Sequence, residues 1–271
     1  AARAQDEYLE DVFASLSWLG LDWDAGPRTV AEFKTSDSQR LRLDSYRSAA
    51  EGLIAGGHVY ACACSRAAIR AVGPLYPGTC RSLGLDLDAP EDHALRFRLP
   101  ADPVTVRNYD GGSSSLFPAR DMGDFVVVKR DGDPAYQLAS VVDDQAHGVN
   151  FVVRGLDLVP STGAQLALAA ALGHSQFAAT RFWHHPLVLD DASSKLSKSR
   201  GSESLAALRE RDADPARVMQ WFAHALGHEP EIVRHVRGPS DLLPGFTPAR
   251  VPTNPLRLSD FWRFMGDSGP V

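Results

Sequence analysis

"AYQLASVVDDQAHGVNFVVRGLDLVPSTGAQ", residues 135–165, is the stretch on which the fold turns. A helical and strand-like rhythm runs through residues 135–144 and passes into the apolar strand "NFVVRG", residues 150–155. Ser161 and Thr162 are expected to cap a helix, "AQLALAAALG", that stops at Gly173. The strand "HPLVLD", residues 185–190, comes next. Strand and helix alternating in this way predict a parallel α/β core.

Upstream, Tyr8, Val12, Leu16 and Leu19 recur at helical spacing, with Leu9 and Phe13 beside them and Gly20 as the stop. A second helix carries Leu43, Tyr46, Ala50, Leu53 and Ile54 on one face and ends at Gly56-Gly57. "HVYACAC", residues 58–64, then reads as a short strand. From about residue 62 to 133 the pattern is irregular and rich in proline and glycine. Short strands are predicted at "ALRFRL" and "DFVVVKRDG", the latter closing in an Asp131-Gly132 turn. This segment is expected to be an insertion with its own small fold. Beyond Gly201 the chain reads as helical, with Asp214 as N-cap, Pro215 at the first helical position and a stripe of Val218, Trp221, Phe222, Ala225 and Leu226. After Pro239 the pattern determines no structure. The expected divisions are a core of 1–58 with 134–200, an insertion of 59–133 and a helical region of 201–271.

At 271 residues, 44% hydrophobic and 23% charged, the composition is that of an ordinary globular chain. No run of 18 apolar residues exists to span a membrane, and "AARAQDEYLE" is too polar for a secretory signal. The net charge of -6 means that a hold on nucleic acid needs a local basic patch. Three cysteines, all between positions 62 and 80, argue against a disulfide framework and for a reduced, cytoplasmic setting.

Four groups of residues could carry chemistry. Cys62, Cys64 and Cys80 offer three soft ligands to a tetrahedral zinc, or are three reduced structural thiols. Tyr136 and Arg154 are expected to flank a strand pair at the C-terminal edge of the sheet, where open α/β sheets bind ligands. An arginine there can hold a carboxylate in a bidentate pair, or sit in a surface ion pair. Asp143 and Asp144 would accept from an ammonium or a ribose. His147 reads as a turn residue, and His184 and His185 face opposite ways on a strand. Finally "SSKLSKSRG", residues 193–201, is either a solvated basic turn or a mobile loop that closes over a polyphosphate.

Together these pieces resemble a known family. "KLSKS" resembles the KMSKS signature of class I aminoacyl-tRNA synthetases, with Leu196 in the methionine place. "AYQLASVVDD", "VVRGLDLVPSTGAQ" and "WLGLDWD" resemble the glutamyl-specific subclass. "YACACSR" followed by "YPGTC" looks like the zinc element of the glutamyl-queuosine tRNA(Asp) synthetase family. The resemblance implies a Rossmann-type parallel sheet with a zinc-bearing insertion and a stem-contact-like helical region. It implies a structural zinc on Cys62, Cys64, Tyr76 and Cys80, and ATP with Mg2+ as substrate. Lys198, assisted by Lys195, would hold the ATP phosphates while the adenylate forms, and Tyr136 and Arg154 would receive glutamate. The implied reaction attaches glutamate to queuosine at the wobble position of tRNA(Asp), by a monomer with no membrane partner. Only about 70 residues follow the lysine loop, short of the anticodon-binding region that a full glutamyl-tRNA synthetase needs by the family layout.

The sequence departs from the family at its start. The first strand, the HIGH-type motif with its helix and the segment ending near "RIEDTD" are not in residues 1–271. The expectation is a piece short of about forty N-terminal residues, the size of a first βα unit, and inactive by itself. The alternatives are a non-catalytic tRNA-binding remnant or a truncated ordinary glutamyl-tRNA synthetase.

Overall fold

The computed structural model describes residues 5–87, 93–190, 193 and 204–266. The chain forms α1 (Asp6–Trp18), α2 (Leu43–Ala55), β1 (Val59–Cys62), α3 (Arg66–Val72), β2 (Ala94–Phe97), β3 (Val104–Asn108) and β4 (Ser113–Leu116). It continues with β5 (Val126–Val128), α4 (Tyr136–Ala146), β6 (Phe151–Gly155), α5 (Val159–Ala171) and β7 (Arg181–His185). Last come β8 (Val188–Leu189), α6 (Pro215–Ala225), β9 (Leu256–Arg257) and α7 (Leu258–Met265), with shorter helical turns between these elements. None of the described helices is long and apolar enough to cross a membrane.

The chain divides into two compact units, one of residues 42–184 and one of residues 1–41 with 185–271. In the first, α2 buries Tyr46, Ala50 and Leu53 at the spacing of one helix face and stops before Gly57, which takes the left-handed conformation at φ +68°. The strands β1, β2 and β5 form one antiparallel sheet. Its two faces have different fates because side chains alternate. Val59, Ala61, Leu95, Phe97 and Val127 enter the main core, while Tyr60 and Cys62 turn to a second cluster with Tyr76 and Cys80. A second sheet has the order β4-β3-β7-β6. There β3 runs parallel to β7 and antiparallel to β4, so the expected parallel pairing is present in a sheet that is mixed. The hairpin of β3 and β4 turns at residues 109–112, with Gly111 at φ +86°.

Three expectations change. The boundaries at 58/59 and 133/134 are not where the chain divides. Side chains of the expected insertion, Val59, Phe97, Val106 and Val127, share one core with Tyr46, Leu138, Ala164 and Phe182, and β3 joins the sheet of β7. Ser161 and Thr162 do not cap α5 but lie inside it, buried, because the helix already begins at Val159 with Pro160 in its first turn. Tyr136 opens α4 rather than flanking a strand pair.

In the other unit, Leu208, Val218, Trp221, Val236, Phe261 and Trp262 form the core, and β8 pairs in parallel with β9. Asp214 caps α6 by accepting from Ala216 N–H at 2.9 Å, with Pro215 behind it, as the sequence predicts. The buried side of α1 carries Leu9, Phe13, Leu16 and Leu19, whereas Tyr8 and Val12 are exposed. Two stripes overlap on that helix and packing selects the one holding Phe13, whose ring lies 6.3 Å from that of Trp23. Helix α7 was not legible in the proline-rich tail. Its Phe261 meets Trp221 edge-on at 5.1 Å.

Candidate functional site

Arg154 sits near the end of β6, and α5 begins four residues beyond the strand's Gly155. Thr162 and Gln165, three apart on α5, project to one side and accept from the arginine. Arg154 Nη1 donates to Gln165 Oε1 at 2.7 Å and Nη2 to Thr162 Oγ1 at 2.6 Å. Both acceptors are almost fully buried. The guanidinium carbon stands 5.3 Å from the centre of the Phe182 ring, a cation–π contact. Thr162 Oγ1 is also 2.7 Å from His184 Nε2. Burial pushes the Arg154 guanidinium below its ordinary range, against the opposing pull of Tyr136 and Asp144. Burial likewise pushes the Asp144 carboxyl up, with Arg154 acting the other way. Tyr136, Asp144 and Arg154 are therefore one electrostatic neighbourhood.

Hydrogen-bonding capacity is left over there. Arg154 Nε, Gln165 Nε2 and Gln137 Oε1 are buried without a partner in the protein. Unmatched buried polar atoms are costly, and three on adjoining elements suit a polar ligand. Among the described residues no carboxylate is paired with Arg154, so the surface ion pair is not what this arginine makes.

Asp143 has a different job. Its carboxylate accepts from Arg42 Nε at 2.8 Å, Arg42 Nη2 at 3.1 Å and the Tyr46 hydroxyl at 2.7 Å. This ties α2 to α4 and replaces the expected role of acceptor for an ammonium or ribose. Burial, then the bond to Asp143, push the Tyr46 phenol up to about 12. His147 follows the last turn of α4 with Nδ1 2.9 Å from the Asp143 carbonyl, a turn residue as expected. His185 Nδ1 lies 2.8 Å from the Pro186 carbonyl, apart from the partner of His184.

The cysteines converge. The sulfur atoms of Cys62, Cys64 and Cys80 all lie within 4.8 Å of one another, and Cys64 Sγ is 3.5 Å from Cys80 Sγ. Tyr76 brings its oxygen 3.4 Å from Cys62 Sγ and accepts from Cys80 N–H at 2.8 Å. Ser65 caps α3, which lies between Cys64 and Tyr76, by accepting from Ala68 N–H at 3.1 Å, which fixes the chain's exit from Cys64. Zinc–sulfur bonds of 2.3 Å in a tetrahedron put sulfur atoms about 3.8 Å apart, so this donor set fits zinc. Burial pushes the Cys62 thiol up, but hydrogen bonding with Tyr76 and Arg96 outweighs it and brings it down to about 7. Burial, then Cys80 and Cys62, push Cys64 up. Thiolates packed this closely oppose one another, a conflict that a divalent cation relieves.

A cavity of about 630 Å³ adjoins the thiols and is lined by Cys62, Cys64, Arg66, Arg96, Arg130 and Tyr136 among others. Tyr136 thus faces the same hollow as the sulfur cluster. Lys195 and Lys198 lie outside the described residues. Thr162, Gln165 and His184 are the site residues that sequence reasoning did not assign. The threonine and glutamine at i, i+3 just after an arginine-bearing strand were the available signal.

The family model of class I tRNA synthetases for glutamate and glutamine, catalytic domain, matches residues 1–237. The glutamyl-Q tRNA(Asp) synthetase of Symbiobacterium thermophilum is 38% identical over 95% of this chain and 82% of its own length. The glutamate–tRNA ligase of Streptomyces avermitilis is 33% identical over 95% of this chain, which spans 54% of that protein. Among solved structures, a glutamate tRNA ligase from Elizabethkingia meningosepticum in complex with its amino acid superposes with a TM-score of 0.72 at 21% identity. That match covers 98% of this chain and 60% of the ligase.

Proposed function

We propose, since the chain belongs to the family of class I tRNA synthetases for glutamate and glutamine, that it activates glutamate with ATP and transfers it to queuosine at the wobble position of tRNA(Asp). It is a ligase of the class I type. Arg154 is the observation that carries the glutamate reading. It is a half-buried cation pinned by Thr162 and Gln165, with no carboxylate partner among the described residues and with Nε unspent. A substrate carboxylate supplies what that arrangement lacks, and Tyr136 adds a hydroxyl at the entrance. The queuosine assignment is supported by the 38% identity to a glutamyl-Q tRNA(Asp) synthetase and by the Cys62, Cys64, Tyr76 and Cys80 pattern. The test uses the full-length protein, with glutamate-dependent ATP–pyrophosphate exchange followed by transfer of labelled glutamate. Labelled queuosine in tRNA(Asp) is the expected product. Charging of tRNA(Glu) instead would move the assignment to glutamate–tRNA ligase.

In this reading Lys198, with Lys195, holds the ATP phosphates as the α-phosphate is attacked, and Mg2+ accompanies the nucleotide. Adenylyl transfer depends on placed positive charge more than on covalent help. In the full-length protein, Lys198→Ala is expected to lower kcat for adenylate formation on the order of 100-fold while KM for ATP changes little. A neutral change would mean that the loop is only a solvated basic turn.

The four ligands Cys62, Cys64, Tyr76 and Cys80 would hold one zinc that cross-links the end of β1 to the loop carrying Tyr76 and Cys80. Metal analysis of the purified protein is expected to find about one zinc per chain, with Cys80→Ala losing it. A chain that folds stably with no metal would overturn this assignment.

A further inference from the structure

We propose that Arg96 is the built-in counter-charge of the Cys62–Cys64–Tyr76–Cys80 set and holds Cys62 and Tyr76 in their ligating positions. This rests on the zinc reading above. Three thiolates around a divalent cation carry net charge -1, and an ionised tyrosine makes it -2. Such an excess of negative charge inside a protein needs a cation close by.

The structure supplies one, in a place where a cation is otherwise hard to explain. Arg96 is only 8% exposed, and arginine is almost never that buried without a partner. Its bonds go to Cys62 Sγ, from Nε at 3.2 Å, and to the Asp124 backbone carbonyl, from Nη1 at 2.8 Å. No carboxylate among the described residues accepts a hydrogen bond from it. Asp124, whose carbonyl accepts from Arg96, spends its side chain on Arg81 at 2.7 Å, on the Tyr60 hydroxyl at 2.8 Å and on Leu99 N–H at 2.9 Å. What remains for the Arg96 charge is sulfur and phenol. The guanidinium carbon lies 3.8 Å from the centre of the Tyr76 ring, so the plane of the arginine backs one ligand while its Nε points at another. A planar, weakly hydrated guanidinium can do both at once, and an ammonium cannot.

Strand register explains how this was built. Arg96 on β2 stands opposite Tyr60 on β1, and Ala94 stands opposite Cys62. Alternation puts all four on the sheet face away from the main core. Ala94, Cys62, Cys64 and Arg96 line the same cavity.

The experiment measures zinc affinity by chelator competition in wild type, Arg96→Gln, Arg96→Lys and Arg81→Gln, with folding followed by circular dichroism and cobalt substitution reporting the ligand geometry. Loss of a partner to a metal ligand costs affinity about 10- to 100-fold, and that loss is expected for Arg96→Gln, with an altered cobalt spectrum. Arg81→Gln, which touches Asp124 but no sulfur, is expected to keep wild-type affinity and spectrum. Should Arg96→Gln fail to fold, Arg96→Lys is the variant read, with about tenfold weaker binding expected. Wild-type affinity in either folded Arg96 variant overturns the role of Arg96. A wild-type chain that binds no zinc overturns the metal reading itself, so the two failures are told apart.

Discussion

Replacing Arg154 with leucine is expected to abolish most glutamate-dependent ATP–pyrophosphate exchange in the full-length protein while ATP still binds. The guanidinium is held by Gln165 at 2.7 Å and Thr162 at 2.6 Å, and no carboxylate among the described residues pairs with it. Leucine would leave the substrate carboxylate desolvated and unpaired. Breaking such a buried pair costs about 3 to 5 kcal/mol, which is roughly two to four powers of ten in kcat/KM. Arg154→Lys keeps the charge but not the two-point grip on α5, so it should recover only part of the rate. Gln165→Ala should act in the same direction and more weakly, because it frees the arginine without removing it. An unchanged KM for glutamate in Arg154→Leu would show that another residue receives the amino acid.

How much of this site could be read from the chain depends on how local each cause is. The stop of α2 at Gly57 and the cap of α6 at Asp214 are local, and the sequence predicts both. Cys62 and Tyr60 share a face because strands alternate, which is also local. The partners of Arg154 were masked by a competing local signal. Serine and threonine before an apolar run read as caps, yet Val159 and Pro160 start the helix earlier and bury the hydroxyls. Where the side chains of residues 59–133 pack is set non-locally. The glycine- and proline-rich stretch looked self-contained, but Phe97, Val106 and Val127 belong to the core shared with Leu138 and Phe182. In α7, Leu258, Phe261, Trp262 and Met265 do recur at helical spacing, and the surrounding prolines hid that pattern.

Asp143 and Asp144 show the same limit at a single step of one helix. Their neighbours in sequence are nearly the same, but one step around α4 turns a side chain by roughly 100°. That turn gives Asp143 to Arg42, 101 residues away, and to Tyr46. Loss of the charge should therefore cost stability at Asp143 and cost none at Asp144. Asp143→Ala takes the carboxylate away from the Arg42 guanidinium in a largely buried position, with side-chain exposures of 22% and 13% in the pair. The cost is expected near the lower end of the buried-pair range, about 3 kcal/mol, which lowers Tm by roughly 6 to 12 °C at this chain length. Tyr46→Phe removes a single bond to the same carboxylate and should cost about 1.5 to 3 kcal/mol.

Asp144 is the contrasting case. Burial holds its carboxyl above the ordinary value of 3.8. A raised acid binds its proton more tightly in the folded state, so its contribution to stability is present at low pH. That contribution is lost as pH rises from the ordinary value through the raised one. Asp144→Asn removes a half-buried charge at neutral pH and is expected to leave stability unchanged or raise it, with the difference from wild type shrinking below pH 4 or so. Thermal unfolding of both variants across pH is the measurement. A destabilised Asp144→Asn at neutral pH, or a wild-type Tm for Asp143→Ala, would show that these two carboxylates have been assigned the wrong way round.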